Sequence, residues 1–522
     1  MMPAGAPVPV VLMRAPGTKD WSTAGTGSIQ GMWRAKINFA TGRLDRLYAV
    51  SGRELYSLDS AGAATLIGDI GTPGNLDFAS NDSALVIVNE PRAWSFDGRL
   101  YTGTHTAAGN NATVMTDSSA TFTPDQLIGA TIFNETDGSQ GTITDNDQTS
   151  VTVLSLSGGT DNDWDTSDVY RISSFAEIVD SDFTSRGAGN VEFLENFLLF
   201  REPNSNRMFG ADLGSSTDFD SLSFVNADSH TDYLRGIQSN NRNLICFGED
   251  STEFFTNTGA AGFPFERIIN GTIEVGLAAE NLYGQCFDVV YFIADDLTVR
   301  RLDGNQPAKV STHYIEQLLE KTFTLDSGEA FSYWQEGHFF IGFTFIEGTI
   351  LYDAVTQEWH ERKSFNREYW RFRNMVRFAG KTLAGDRDSN EIVELDTLTF
   401  DEAVNDPTMA SNVQVMEWTY QPIYANGVRA FHDRLEVRFE SGVGLTTGQG
   451  SDPVMMMQFS DDGGRTWIAL PTKTLGKKGE YQDRAVWYNL GSSRQRVYKG
   501  SISDPVKVYI GQTITEVRGG RL

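Results

Sequence analysis

Arg46-Leu47-Tyr48-Ala49-Val50, then Ser51-Gly52-Arg53-Glu54, then Leu55-Tyr56-Ser57-Leu58-Asp59: an apolar run, a polar turn, and a second alternating run that ends in Asp. The runs are strand-length and the joint carries the Gly that a tight hairpin turn favours. The same pattern returns from Ala84 to Asp97, Phe197 to Asp212, Leu244 to Phe255, Val289 to Asp303 and Phe339 to Asp353, with a weaker copy from Thr382 to Asp396. With one intervening stretch set aside, the copies start about 40 to 50 residues apart, a period that marks the blades of a β-propeller. Each blade then covers the apolar face of its neighbour, and closure of the ring protects the sheet edges. The expectation is an all-β chain, a β-propeller of six or seven blades; an irregular stack of hairpins in sandwiches is the alternative.

The stretch set aside, residues 101–172, carries ten acidic residues against one basic residue, Arg171. It is rich in Thr, Asp, Gly and Ser, with period-2 runs at Thr131-Ile132-Phe133 and Val151-Thr152-Val153-Leu154. It reads as a small acidic β module inserted into an outer loop of a blade, since loops tolerate insertions cheaply. Helix is scarce. One is predicted over 311–321, where Ile315, Leu318 and Leu319 share a face and Ser311 or Thr312 can cap. A polar linker follows near 401–412, and then an all-β unit with alternating strands such as Arg434-Leu435-Glu436-Val437-Arg438-Phe439. The predicted organisation is an N-terminal arm at 1–40, the propeller at 41–100 and 173–405, the insert at 101–172, and a C-terminal β-sandwich-like domain at 411–522.

Charge separates these parts. The 522 residues hold 42 Lys and Arg against 69 Asp and Glu, a formal net charge of −27. Residues 411–522 hold 14 basic and 11 acidic residues, so the first 410 hold 28 and 58, a net of −30. A sequence-blind DNA clamp is basic, because its affinity comes from neutralising phosphates; this chain, if it meets DNA, lets it slide. Cys246 and Cys286 lie in apolar runs and read as buried free thiols. No apolar stretch approaches the roughly 18 residues of a membrane span. The apolar start is broken by prolines and has no cationic segment ahead of it, so no signal peptide is expected. A soluble protein made in a reducing cytoplasm is the expectation.

The search for chemistry yields little. Ser460-Asp461-Asp462-Gly463-Gly464-Arg465-Thr466-Trp467 fits the Asp-box pattern Ser-x-Asp-x-Gly-x-Thr-Trp of sialidase propellers. That string is a hairpin turn in which Asp462 binds turn amides and Gly464 supplies a positive φ; a structural turn is preferred to a glycosidase relic. The six histidines, His105, His230, His313, His338, His360 and His432, show no ligand spacing. Asp161-Asn162-Asp163-Trp164-Asp165 opens like a calcium loop, but Thr166 stands where the loop needs Gly and Ile172 where it needs Glu, so a solvated acidic loop is preferred. Met455, Met456 and Met457 read as core packing. Residues 359–377 interleave Arg362, Lys363, Arg367, Arg371, Arg373 and Arg377 with Phe365, Tyr369, Trp370 and Phe372. Such a stretch suits single strands, but stacking of Arg on aromatics within a blade surface or subunit interface is preferred. No catalytic, cofactor-binding or metal residue is assigned, and the chain is not expected to be an enzyme.

Tyr233-Leu234-Arg235-Gly236-Ile237, Leu244-Ile245-Cys246-Phe247-Gly248 and the run from Ser251 to Gly259 resemble the packaged-DNA stabilisation, or tail hub (nozzle), proteins of short-tailed bacteriophages. The helix Ile315-Glu316-Gln317-Leu318-Leu319 after Val310-Ser311-Thr312 shares the resemblance. So do Val486-Trp487, Leu490-Gly491, Arg494, Arg496-Val497 and Ser503-Asp504-Pro505-Val506. The resemblance covers roughly 40–100 and 173–517; the head of the chain looks short beside it and 101–172 looks additional. It implies a homohexameric ring below the portal and adaptor of a virion tail. That ring closes the channel over packaged double-stranded DNA, passes it without sequence readout and carries fibre or spike and needle or tip proteins, without stable membrane insertion. The insert is similar to small β modules of other phage structural proteins and suggests a dock for fibres or spikes. An acidic lumen would repel phosphates during ejection. A carbohydrate-binding or glycosidase-like propeller, carried by the single Asp box, is the alternative, and a secreted adhesin is a third and weaker reading.

Overall fold

The structure, a computed structural model, describes residues 11–39, 42–403, 413–424 and 428–520. Residues 1–10 of the expected arm and 404–412 of the expected linker lie outside the described residues. Seven four-stranded antiparallel sheets follow one another along the chain. Their first strands are Ile29–Phe39, Leu76–Ser80, Asn190–Leu194, Leu234–Asn240, Tyr283–Cys286, Glu329–Gln335 and Phe372–Phe378. First strands of successive blades lie side by side, the seventh beside the first, and blades four and five meet where Gly236 lies against Tyr283. This is a seven-bladed propeller, called blades one to seven below.

The middle pair of every blade is one of the hairpins read from the sequence: Gly42–Ser51 with Glu54–Leu58, Leu85–Asn89 with Arg92–Phe96, and so on to Lys381–Asp386 with Glu391–Asp396. These strands are flanked by sheet on both sides and by blades on both faces, so they are the most apolar. Val86 and Val88 of blade two pack with Val191, Leu198 and Phe200 of blade three in one buried cluster. Phe183, from the short helix Ser181–Thr184, adds its ring at 5.5 Å from Phe200 and 5.0 Å from Phe219. Burial of each such side chain stabilises the fold by about 1.5–3 kcal/mol relative to exposure.

The start of the ring differs from the sequence reading, which begins the propeller at residue 41. Ile29–Phe39 is already the first strand of blade one, and Gly17–Thr23 is the outer strand of blade seven. The Ala24 amide donates to the Asn390 carbonyl and the Ile29 amide to the Ser389 carbonyl, both at 3.0 Å. The ring is thus closed by a sheet that mixes both ends of the propeller sequence, which removes a free edge.

Residues 101–172 enter after the third strand of blade two and return before its fourth, Ala176–Glu177. Leu100–Thr104 and Val169–Ser173 pair antiparallel at the base. With four further strands they make up a six-stranded sheet, whose own core holds Met115, Ile132, Ile143, Val151, Trp164 and Tyr170. The predicted helix forms over His313–Lys321, capped by Thr312, with Ile315 and Leu319 buried. The C-terminal domain is a β-sandwich. Ala430–Phe439, Tyr509–Gly519, Ala485–Tyr488 and two short strands form one sheet. Met416–Thr419, Gln495–Ile502, Val454–Ser460 and three short strands form the other. Trp418, Leu435, Val437, Trp487, Tyr498 and Ile510 fill the space between.

Candidate functional site

The most chemically dense place in the propeller is its axis. Asn281 Nδ2, just before the first strand of blade five, donates to Asn75 Oδ1, just before that of blade two, at 2.6 Å. Blades two and five are not neighbours in a ring of seven, so this bond crosses the centre. Glu280 meets the guanidinium of Arg201 from blade three at 3.0 Å, and Glu90 of blade two approaches the same group at 3.5 Å. Arg201 is fully buried and also donates to the Leu234 carbonyl of blade four. A Cβ at Gly189 would lie 2.1 Å from Arg201 Nη2, so only glycine leaves room for this stopper.

Two carboxyls line the same ring of inner strands. Asp77 accepts from the amides of Val191 and Phe78, both at 2.9 Å, yet desolvation pushes it up to about 6. Glu192 accepts from Gln238 Nε2 at 2.9 Å and Ser239 Oγ at 2.7 Å. Desolvation first, and the charge of Asp77 second, push its carboxyl up to about 8. Asn190 Nδ2 donates to the Tyr283 hydroxyl at 3.1 Å and completes the set. The arrangement ties blades two to five together. None of these residues stands out in the sequence, because Arg201 merely ends an apolar run and its partners lie far apart along the chain.

The Asp box forms the expected turn. Asp462 Oδ1 accepts from the amides of Arg465 and Thr466, both at 2.9 Å, and Oδ2 accepts from Thr466 Oγ1 at 2.6 Å. Gly464 has φ +92°. These bonds, with the Thr466 hydroxyl foremost, hold the carboxyl well below the usual range. Asp461 pairs with the buried Arg496 at 2.6 Å, and Arg496 stacks over Phe459 at 4.0 Å. The box therefore spends its carboxylates on the sandwich itself. Met455 and Met457 are buried in the same core.

Asp161, Asp163 and Asp165 come together, with one carboxylate oxygen of each within 4.8 Å of the others. The donors suit a hard cation such as Ca2+, but Ca2+ takes six to eight oxygens and this set supplies three. Asp137 lies alongside, and its hydrogen bond raises the Asp161 carboxyl. The histidines remain dispersed: His105 Nδ1 accepts from the Thr116 amide, His338 pairs with Asp353 at 2.7 Å, and His432 with Ser493 at 2.9 Å. Cys246 and Cys286 are buried, and burial pushes both thiols up.

The basic and aromatic stretch turns inward. Arg371 and Asp386 form a fully buried bidentate pair at 2.8 and 2.5 Å. Arg362 stacks over buried Trp370 at 3.6 Å and Arg377 over Trp334 of blade six at 4.2 Å. Arg373 donates to the Ile29 carbonyl of blade one and reaches Glu329 of blade six. These residues fasten blades six, seven and one.

The family model described as "Bacteriophage P22 Gp10, beta-propeller" matches residues 9–167 and 168–400, and "Bacteriophage P22 Gp10, beta-sandwich" matches 417–518. The matched span includes the head from residue 9 and runs through the inserted module. No curated protein matches the chain. Among solved structures, Chaetomium thermophilum Raptor is similar over 73% of this chain and 29% of that one, with 9% identity and TM-score 0.31. Kluyveromyces lactis Hsv2 is similar over 65% and 98%, with 7% identity and TM-score 0.25. The extracellular domain of BT4673 from B. thetaiotaomicron is similar over 88% and 76%, with 11% identity and TM-score 0.23. Likenesses this loose carry no argument here. Propeller and sandwich are matched in turn over most of the chain, which therefore belongs to the bacteriophage P22 Gp10 family of tail hub, DNA-stabilisation proteins.

Proposed function

We propose that six copies of this chain form a nozzle ring that closes the tail channel, retains the packaged genome and passes it on ejection. The observation that supports this reading is the meeting of Asn75 with Asn281 and of Arg201 with Glu280 between blades that are not neighbours, which favours a passage between chains over one through a single propeller. The charge of the first 410 residues, −30, supports a lumen that repels phosphates and keeps DNA mobile. The ring joins the portal or adaptor on one side and fibre or spike and needle or tip proteins on the other, after synthesis in the host cytoplasm. It works by rigidity and charge and turns over no substrate. The Asp box lends no support to a glycosidase, because Asp462 is committed to its own turn.

Native mass spectrometry and negative-stain imaging of the chain mixed with its portal and adaptor test the proposal. Six copies per connector in a closed ring support it. Single copies that bind and cleave a glycan overturn it.

A further inference from the structure

A cleft of about 540 Å3 lies between the loops that join third to fourth strand in blades three and four. In blade three Phe209 faces Phe224 and Ala211 faces Phe219, so Gly210 alone stands opposite the four residues 220–223. These are pushed out of the sheet as a bulge that forms one wall. Asp220 Oδ1 accepts from the Leu222 amide at 2.9 Å and Arg186 donates to the Ser221 carbonyl, which holds the bulge in place. The other wall is the blade-four loop Thr258-Gly259-Ala260-Ala261-Gly262-Phe263-Pro264, closed by the Thr258 amide on the Pro264 carbonyl at 2.9 Å. Gly259 and Gly262 take φ of +71° and +85°, and no atom lies within 4 Å of where either would carry a Cβ. The space between the walls is therefore left unfilled.

The floor is aromatic and the rim acidic. Phe197 and Phe263 both pack on Phe265, with ring centres at 5.5 and 5.3 Å. Glu195, Asp212 and Asp220 line the opening beside Leu213, which is 65% exposed. Glu195 pairs with Arg242 at 2.6 Å, but Arg242 is 84% exposed and the pair exchanges easily with solvent. The described residues include every Lys and Arg of the chain except Arg521, and among them no cation pairs with Asp212 or Asp220. From Asp212 to Glu280 the chain carries eleven acidic residues against three arginines, so the surroundings offer no compensation. Those arginines are committed: Arg235 to the Leu277 and Ala278 carbonyls, Arg242 to Glu195, and Arg267 to Glu253 and Asp228.

Free carboxylates over phenyl rings complement one kind of side chain, an apolar stem that ends in a cation. We propose that this cleft docks a separate protein that presents an exposed Arg or Lys next to an apolar residue. The cation meets Asp212 and Asp220, its stem lies on Phe197 and Phe263, and the apolar neighbour covers Leu213. A second copy of this chain is a poorer occupant. Its first 410 residues carry a net of −30 and repel the same charge at close range, and the remainder has a basic excess of only three. The choice of probes below rests on the proposed place of the chain in a tail; the chemistry of the cleft does not.

The test is made on the full chain. The purified adaptor, fibre or spike, and needle or tip proteins of the same tail serve as probes, and their affinities are read by calorimetry. Asp212→Lys with Asp220→Lys is expected to weaken one of these partners at least tenfold. Ala260→Trp, which fills the cleft without changing charge, is expected to weaken the same partner as much. Asp250→Lys with Glu274→Lys, which changes the net charge equally on exposed residues that do not line the cleft, is expected to leave that affinity within twofold. Thermal unfolding of each variant checks that the fold is kept. The proposal is overturned if no probe binds the parent chain, if every bound probe tolerates both cleft variants, or if the cleft variants abolish self-association of the chain instead. Native mass spectrometry on the same proteins separates this from the ring itself. Six copies per connector with the cleft variants leave the ring reading intact whatever the cleft does, and no ring with the parent chain counts against that reading alone.

Discussion

Glu192 keeps its proton to about pH 8 in the folded propeller, whereas an ordinary glutamate releases it near 4.5. Between those values the folded state binds more protons than the unfolded one, so stability falls as pH rises through that window. The slope is on the order of 1 kcal/mol per pH unit. Asp77, pushed up to about 6, adds a loss of the same sign at the lower end. Glu192→Gln keeps an acceptor for Gln238 and removes the titration. Its Tm is therefore expected to exceed the parent's at pH 8.5 and to match it near pH 5, as followed by calorimetry. The Arg371–Asp386 pair has the opposite character. Arg371→Met leaves Asp386 buried without its cation and is expected to cost about 3–5 kcal/mol in chemical denaturation; adding Asp386→Leu recovers part of that loss.

Close packing between elements is as exacting as these side chains. A Cβ at Gly236 of blade four would lie 2.4 Å from the Tyr283 ring of blade five. Gly236→Val is expected to destabilise the propeller by about 1–3 kcal/mol, read from the denaturation midpoint. The same level explains what was legible in the sequence. Strands such as Leu85–Asn89 and Val289–Ile293 are buried on both faces, so their apolar runs are continuous and readable. First and fourth strands such as Tyr283–Cys286 and Glu358–Glu361 face the axis or the rim and mix polar with apolar residues, so no period marks them. Gly17–Thr23 reads GTKDWST, and nothing local shows that it completes blade seven; only ring closure demands a strand there. The axial stopper was invisible for the same reason: Asn75 and Asn281 meet only because two distant blades face each other.

At the scale of the whole molecule, charge and closure act together. The acidic first 410 residues and the nearly balanced remainder give the chain two electrostatic characters, so salt is expected to weaken any contact that joins an acidic propeller to a basic partner surface. Raising ionic strength from 50 to 500 mM is expected to release such partners in sedimentation runs while hydrophobic contacts within each chain persist. The chain belongs to a tail hub family and folds as a propeller with a C-terminal sandwich; the passage between several chains is the part of the proposal that remains to be measured. Cryo-electron microscopy of tails fixed during ejection tests this most directly. The account predicts a six-fold ring with duplex density on the ring's own axis and side chains filling the centre of every propeller. Duplex density through the middle of a propeller, or a ring of other than six chains, would contradict it.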